Sequence, residues 1–157
     1  KAVMIGITVA DPLSQTIFSA IVSPEGLSLF EAFFGPDGVN VSRALPPFDA
    51  PDFASNMMSD LKLIFFAPRG KPRQKGIGAE GEAVCRWQEM TGGWIDVAQC
   101  RDGRVRILRY SGGGRLQRTA VLSLPPGNPY AAVLLDARGW VRYQLVMTLI
   151  EAETLRD

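Results

Sequence analysis

The chain has 157 residues, of which 46% are hydrophobic and 21% are charged. This balance is typical of one folded domain and excludes a disordered chain. No apolar run reaches the about 18 residues that a membrane-spanning helix needs. Histidine is absent, which excludes Ser-His and Cys-His catalytic pairs and imidazole metal ligands. We therefore expect a protein that is not an enzyme, carries no cofactor and holds no metal.

The formal net charge is only +1, but the charges are unevenly distributed along the chain. Residues 1–60 contain two basic and seven acidic side chains, whereas residues 61–120 contain twelve basic and five acidic ones. Basic side chains of the second group are candidates for contacts with anionic lipid headgroups or with an acidic protein partner. The candidates are Arg69, Lys71, Arg73, Lys75, Arg104 and Arg106. A solvated surface without a partner is the alternative, and the lack of interleaved aromatic residues argues against nucleic acid.

The first 44 residues alternate in the manner of β-strands. Apolar residues from Val3 to Val9 share one face of a predicted first strand, which Asp11 ends. Further strands are predicted over residues 16–22, 27–34 and 39–41. The third of these four strands is apolar on both faces, so either Phe30 and Phe34 or Leu29 and Phe33 face the core. These strands predict an antiparallel sheet.

The apolar period changes to that of a helix after Asp49. Apolar residues recur every four positions and form one stripe along the helix, and two neighbouring residues widen this stripe. The stripe contains Phe53, Met57, Leu61 and Phe65, with Met58 and Ile64 beside it. Asp49 is a suitable N-cap and Pro68 ends the pattern, which predicts one helix over about residues 50–66.

The rest of the chain predicts strands joined mostly by short turns. Arg69–Gly81 interleaves basic residues with Gly and Pro, has no hydrophobic period, and predicts a loop. Strands are predicted over residues 82–91, 94–101, 116–124, 131–135 and 141–149, with a hairpin at Asp102-Gly103 and a loop over Pro125–Pro129. No internal repeat is evident. About ten strands and one helix predict a mainly β, α+β fold, namely a strongly curved antiparallel half-barrel with the helix packed in its concave mouth.

The two cysteines predict a disulfide. If Gly92-Gly93 is a two-residue turn, Cys85 falls opposite Cys100, and opposed Cβ atoms of an antiparallel pair lie close enough to be bridged. A buried pair of free thiols is the alternative. A Cys85–Cys100 disulfide would indicate an oxidising compartment such as the bacterial periplasm.

Three segments resemble the LolB-like outer-membrane lipoproteins of Gram-negative bacteria. They are Ser23–Phe30 (SPEGLSLF), the connector Leu45–Pro47, and the helix end Asp60–Phe66 (DLKLIFF). The order of elements resembles that family over nearly the whole chain, which implies a single LolA/LolB-like domain over residues 1–157. The resemblance also implies a location in the periplasm, anchored to the outer membrane through a lipid-modified N-terminal cysteine that would precede Lys1.

The resemblance implies an apolar cavity that takes acyl chains between the sheet and the helix. Its predicted lining is Phe30, Phe34, Met57, Met58, Leu61, Phe65, Tyr143, Leu145 and Met147. The family also has a protruding Pro-Leu-Gly type loop that offers an apolar residue to the membrane. Pro24, Glu25 and Gly26 form the matching loop in this chain, with a carboxylate at the apolar position.

Two functions remain open at this point. The first is a noncatalytic binder or carrier of lipid or acyl-type ligands at the outer membrane. The second is a structural or partner-binding accessory lipoprotein whose interior is filled by its own side chains.

Overall fold

The computed structural model describes residues 3–124, 131–138 and 142–155. The described residues form eleven strands and one α-helix, and the chain divides into two compact units, residues 1–67 and 68–157. The prediction of a mainly β protein with antiparallel sheets and one helix is confirmed. The curvature of a half-barrel and the single domain over residues 1–157 stay predictions, and the predicted loop Pro125–Pro129 lies outside the described residues.

The first unit is a four-stranded antiparallel sheet followed by the helix. Its elements are β1 (Ile5–Asp11), β2 (Thr16–Val22), β3 (Ser28–Gly35), β4 (Gly38–Ala44) and α1 (Phe53–Phe65), and the strands lie in chain order. The register places Ile17 between Ala10 and Phe34. It thereby turns Phe30 and Phe34 towards the core, which settles the alternative that the sequence left open for β3.

Apolar contacts between α1 and the sheet form the core of this unit. Ile17 and Phe30 are fully buried and Met58 is 1% exposed. The Phe53 ring meets the Phe30 ring edge-on at 5.1 Å between centroids. The helix begins at Phe53 instead of residue 50, and Asp52, not Asp49, occupies the cap position. The side chain of Asp52 makes no capping hydrogen bond, so this helix end lacks a contribution of about 1 kcal/mol.

The apolar residues of β1 lie on the face of the sheet that points away from this core. Ile5, Ile7 and Val9 alternate with the core-facing Ala10 and Thr8, and the three are 39–49% exposed. The alternation predicted for β1 is therefore present, but it places its larger side chains outward.

The second unit is a seven-stranded antiparallel meander whose strands also lie in chain order. The strands are β5 (Gln74–Ile77), β6 (Ala83–Gln88), β7 (Trp94–Gln99), β8 (Val105–Tyr110), β9 (Leu116–Ser123), β10 (Ala132–Arg138) and β11 (Arg142–Thr148). One face carries the buried apolar residues of β8, β9 and β10, among them Ile107, Ala120 and Leu135. The opposite face carries most of the charged pairs described below.

Five of the turns share one hydrogen-bond pattern. The N–H of the first residue donates to the carbonyl of the fifth, and the N–H of the fourth donates to the carbonyl of the first. The turns are Ser23–Leu27, Gly78–Glu82, Glu89–Gly93, Cys100–Arg104 and Ser111–Arg115. The fourth residue is glycine in each, with φ between +79° and +91°, a conformation that costs glycine little.

The turns in the second unit recur every eleven residues, at Gly81, Gly92, Gly103 and Gly114. Each repeat is one turn and one strand, so the expectation of no internal repeat was wrong. The repeat was missed because only the glycine and the strand length recur, while the other side chains differ.

The predicted disulfide was wrong. Cys85 lies opposite Val97 across β6 and β7, and both cysteines are free. The connection at Gly92 has three residues between the hydrogen-bonded Glu89 and Gly93. The assumption of a two-residue turn therefore moved the pairing by three positions and placed Cys85 opposite Cys100.

The predicted loop over Arg69–Gly81 was wrong in its second half. β5 pairs with β6 and places Lys75 opposite Cys85. All four residues of β5 are exposed, so no hydrophobic period could mark the strand in the sequence. Backbone pairing with β6 forms it instead.

Thiol titration tests the register of β6 and β7. Because Cys85 faces Val97 instead of Cys100, we expect protein unfolded without reductant to react as two free thiols per chain. A fully reduced sample is the control and should give the same value. Thiols that become reactive only after reduction would contradict the register.

A glycine substitution tests the turn geometry. Both Gly103 and Gly76 have open space where a Cβ would stand, but only Gly103 has a positive φ, of +81°. We expect Gly103→Ala to lower the free energy of unfolding by about 1–2 kcal/mol, and Gly76→Ala to change it by less than about 0.5 kcal/mol. Urea denaturation measures both, and equal effects would show that Gly103 is not held in the left-handed region.

Candidate functional site

Six of the predicted cavity-lining residues meet in one cluster between α1 and the four-stranded sheet. Phe30, Met58 and Leu61 are buried there. The remaining three, Phe34, Met57 and Phe65, are partly buried and pack against them. The ammonium group of Lys62 lies 4.2 Å from the centre of the Phe34 ring at the margin of the cluster. In this structure the side chains of the cluster themselves fill the layer between helix and sheet.

The other three predicted lining residues lie in the second unit. Tyr143, Leu145 and Met147 occupy alternate, half-buried positions of β11. They lie opposite Ala137, Leu135 and Val133 of β10, all of which are buried. The apolar lining predicted from the sequence is therefore divided between two units.

The loop Pro24-Glu25-Gly26 forms the tip of the β2–β3 turn and is exposed. A hydrogen bond from the Ser23 hydroxyl lowers the pKa of Glu25 below its ordinary value. The tip is thus anionic at neutral pH, and transfer of a carboxylate into hydrocarbon is costly.

Two of the six predicted anion-contacting residues are already neutralised by carboxylates. Arg104 lies 2.6 Å from Asp102, and Arg106 pairs with Glu82 and lies 3.9 Å from Glu80. These residues line a pocket of about 340 Å³ at the turn ends of β6 and β8. The pocket balances its cations with carboxylates, which argues against it as an anion site.

The four other basic candidates lie on an exposed segment. Within the described part of the chain, Arg69, Lys71, Arg73 and Lys75 make no ion pair, so they remain available to an anionic surface. In addition to the pairing of β5 with β6, two hydrogen bonds hold the segment to β6. The Arg73 N–H donates to the Arg86 carbonyl at 2.7 Å, and the Trp87 indole donates to the Gly70 carbonyl at 3.1 Å.

Glu82 is the buried carboxylate of this region and is 5% exposed. Its side chain accepts a hydrogen bond from the Glu80 N–H at 2.9 Å and pairs with Arg106. Backbone hydrogen bonding, at Glu82 first, and the charge of Arg106 hold the pKa of Glu82 below its ordinary value. Glu82 therefore stabilises the turn Gly78–Glu82 in its ionised form.

The opposed positions Arg86 and Asp96 form a second charged group that the sequence did not predict. Arg86 donates from Nε and from a terminal nitrogen to the two oxygens of Asp96, at 2.6 Å each. The guanidinium also lies 5.0 Å from the ring of Trp94, which stacks on Tyr110 at 5.2 Å. A correct register between β6 and β7 would have revealed this pair, because the residues are directly opposite.

Three arginines around a concave surface were also missed. Arg115, Arg138 and Arg142 line a pocket of about 540 Å³ together with Leu116 and Asp136. They come from the ends of β9, β10 and β11, and Arg115 lies 23 residues before Arg138 in the sequence. The signal available in the sequence was the pair Arg138 and Arg142, which are four residues apart.

Residues 3–124, 131–138 and 142–155 contain no group of three or more acidic, cysteine or histidine side chains placed to hold a metal ion. The one helix found there is neither long nor apolar enough to span a membrane. Comparison of the chain with family models, with curated proteins and with solved structures gave no significant match.

Acid denaturation tests the role of Glu82. A carboxylate with a lowered folded-state pKa stabilises the fold above the pKa of unfolded glutamate, about 4.3, and this contribution is lost as the pH falls through the lowered value. We expect Glu82→Gln to be less stable than the wild type at pH 7 and to lose less stability between about pH 4.5 and pH 3. Urea denaturation at a series of pH values measures this.

The matched control for this experiment is Glu80→Gln, since the Glu80 side chain is 75% exposed. It should keep the wild-type dependence on pH. If Glu82→Gln loses stability with acid as steeply as Glu80→Gln, the assignment to Glu82 is wrong.

Proposed function

We propose that the chain is a noncatalytic binder or carrier of lipid or acyl-type ligands, and that the ligand enters the layer between α1 and the four-stranded sheet. The observation that carries the proposal is the lining of that layer by Phe30, Phe34, Met57, Met58, Leu61 and Phe65. Methionine repacks readily around variable apolar shapes, because it is unbranched and polarisable.

The lack of a side-chain cap at the start of α1 supports the proposal. Asp52 makes no capping bond and the first turn of α1 contains no acidic residue. Local opening is easiest where few such bonds oppose it. An apolar ligand can therefore enter by displacing the N-terminal turns of α1, which carry Phe53, Ala54 and Met57.

The proposal includes the setting that the LolB-like resemblance implies. The protein is a lipoprotein of the periplasm, anchored to the outer membrane, and its strands and helix form a curved half-barrel. The anionic tip at Glu25 does not enter the bilayer, so this relative binds its ligand without inserting that loop. The exposed cations from Arg69 to Lys75 contact anionic headgroups or an acidic protein.

The second candidate is an accessory lipoprotein that binds a partner and has a self-filled core. The complete burial of Ile17 and Phe30 favours it, because a closely packed layer needs no ligand. The two candidates differ in whether α1 opens.

Titration with a fluorescent fatty acid separates the two candidates. We expect saturable binding to the wild type and weaker binding to Leu61→Ala, because Leu61 lies in the apolar cluster. Ile107→Ala is the matched control, since Ile107 is buried in the second unit and its loss should leave the affinity unchanged.

Stability gives the second measurement on the same variants. If the core is permanently filled, Leu61→Ala should cost about 2–5 kcal/mol and the wild type should bind no fatty acid. Absence of saturable binding by the wild type would therefore contradict acyl binding and leave the accessory protein.

A further inference from the structure

Three guanidinium groups line one pocket on the polar face of the seven-stranded sheet. Arg115 precedes β9, Arg138 ends β10 and Arg142 begins β11. The backbone of Arg115 is fixed by the turn Ser111–Arg115, in which its N–H donates to the Ser111 hydroxyl oxygen at 3.2 Å and its carbonyl accepts from the Ser111 N–H at 2.9 Å. The three side chains are therefore presented from ordered strand ends.

The charges in this pocket are not balanced. Among the described residues that line it, Asp136 is the one carboxylate, and it accepts a hydrogen bond from Nε of Arg138 at 2.8 Å. Arg115 and Arg142 make no ion pair with any residue that the structure describes. Three cations thus share one anion, in contrast to the balanced pocket at Arg104 and Arg106.

The strand register is a second observation that points to an anion at this site. Arg138 and Arg142 lie directly opposite each other in the pairing of β10 and β11. Like charges at directly opposed positions of a sheet repel and are destabilising. An anion between them would convert this repulsion into two attractive contacts.

We propose that Arg115, Arg138 and Arg142 bind a phosphate group. The planar fork of arginine matches the oxygen atoms of phosphate and donates two parallel hydrogen bonds. The pocket volume of about 540 Å³ exceeds what one phosphate ion needs and lies within the usual range for small-molecule sites. Leu116 supplies an apolar wall, which suits the carbon atoms of a phosphate ester. The ligand is either free phosphate or the headgroup of a phospholipid, and both present the same group.

The proposal stands apart from acyl binding at α1, because none of its residues belongs to the apolar cluster of the first unit.

The probes are inorganic phosphate, vesicles of phosphatidylcholine alone, and vesicles of phosphatidylcholine with phosphatidylglycerol. The variants Arg115→Gln and Arg142→Gln each remove one exposed cation from the pocket. Arg104→Gln is the matched control. It also removes one exposed cation from this sheet, but Asp102 already neutralises the charge of Arg104.

We expect both pocket variants to weaken binding about tenfold or more, as the loss of a charge-assisted contact does, and Arg104→Gln to change it less than about twofold. Asp136→Asn should tighten binding, because it removes the anion that competes for Arg138. A gain of affinity cannot result from a damaged fold.

The probes distinguish the sources of the phosphate group. Saturable binding of inorganic phosphate with this dependence on the variants identifies free phosphate as a sufficient ligand. Binding only to vesicles that contain phosphatidylglycerol, with the same dependence, identifies a lipid headgroup. If the wild type binds none of the probes, or if Arg104→Gln weakens binding as much as the pocket variants do, the phosphate site does not exist.

Discussion

The left-handed glycine at the fourth position of each five-residue turn determines most of this structure. Only glycine adopts a φ near +80° at little cost, so each such residue fixes where one strand ends and the next begins. In the second unit the glycine recurs every eleven residues, at Gly81, Gly92, Gly103 and Gly114. The turn geometry therefore sets the register of β5 to β8, whereas between β8 and β9 a bulge at Arg109 and Tyr110 shifts the pairing by one residue beyond the turn.

The register then determines which charges meet. It places Arg86 opposite Asp96 and brings the two into a bidentate pair. The turn itself holds Glu82 over the N–H of Glu80 and beside Arg106. Further along the sheet, the pairing of β10 with β11 sets Arg138 opposite Arg142, and no carboxylate in the described part of the chain forms an ion pair with Arg142. The balanced and unbalanced charge groups of the polar face thus have one origin in backbone geometry.

Elements in which apolar residues recur at a regular period were predictable from the sequence. Cross-strand pairs, which depend on the number of residues in the turn between the strands, were not. The four-residue stripe from Phe53 to Phe65 predicted α1, and the alternation of β3 limited its core-facing pair to two choices. The Cys85–Cys100 disulfide failed because a three-residue connection was taken for a two-residue one, which moves every opposed pair of β6 and β7. The strand β5 has no apolar period, since all its residues are exposed. The pocket of Arg115, Arg138 and Arg142 joins three strand ends; the sequence shows Arg138 and Arg142 as neighbours, but no local pattern connects Arg115 with them.

The glycine turns set the register of β5 to β8, and a cross-strand NMR contact tests this directly. Glu89 and Gly93 close the turn by a hydrogen bond, and alternate pairs outward from such a pair are not hydrogen-bonded, which brings their Cα atoms closest. Arg86 and Asp96 form one of these pairs. We expect a strong nuclear Overhauser effect between the Hα atoms of Arg86 and Asp96. A strong Hα contact of Arg86 with Gln99 instead, as a two-residue turn at Gly92-Gly93 would give, would contradict it.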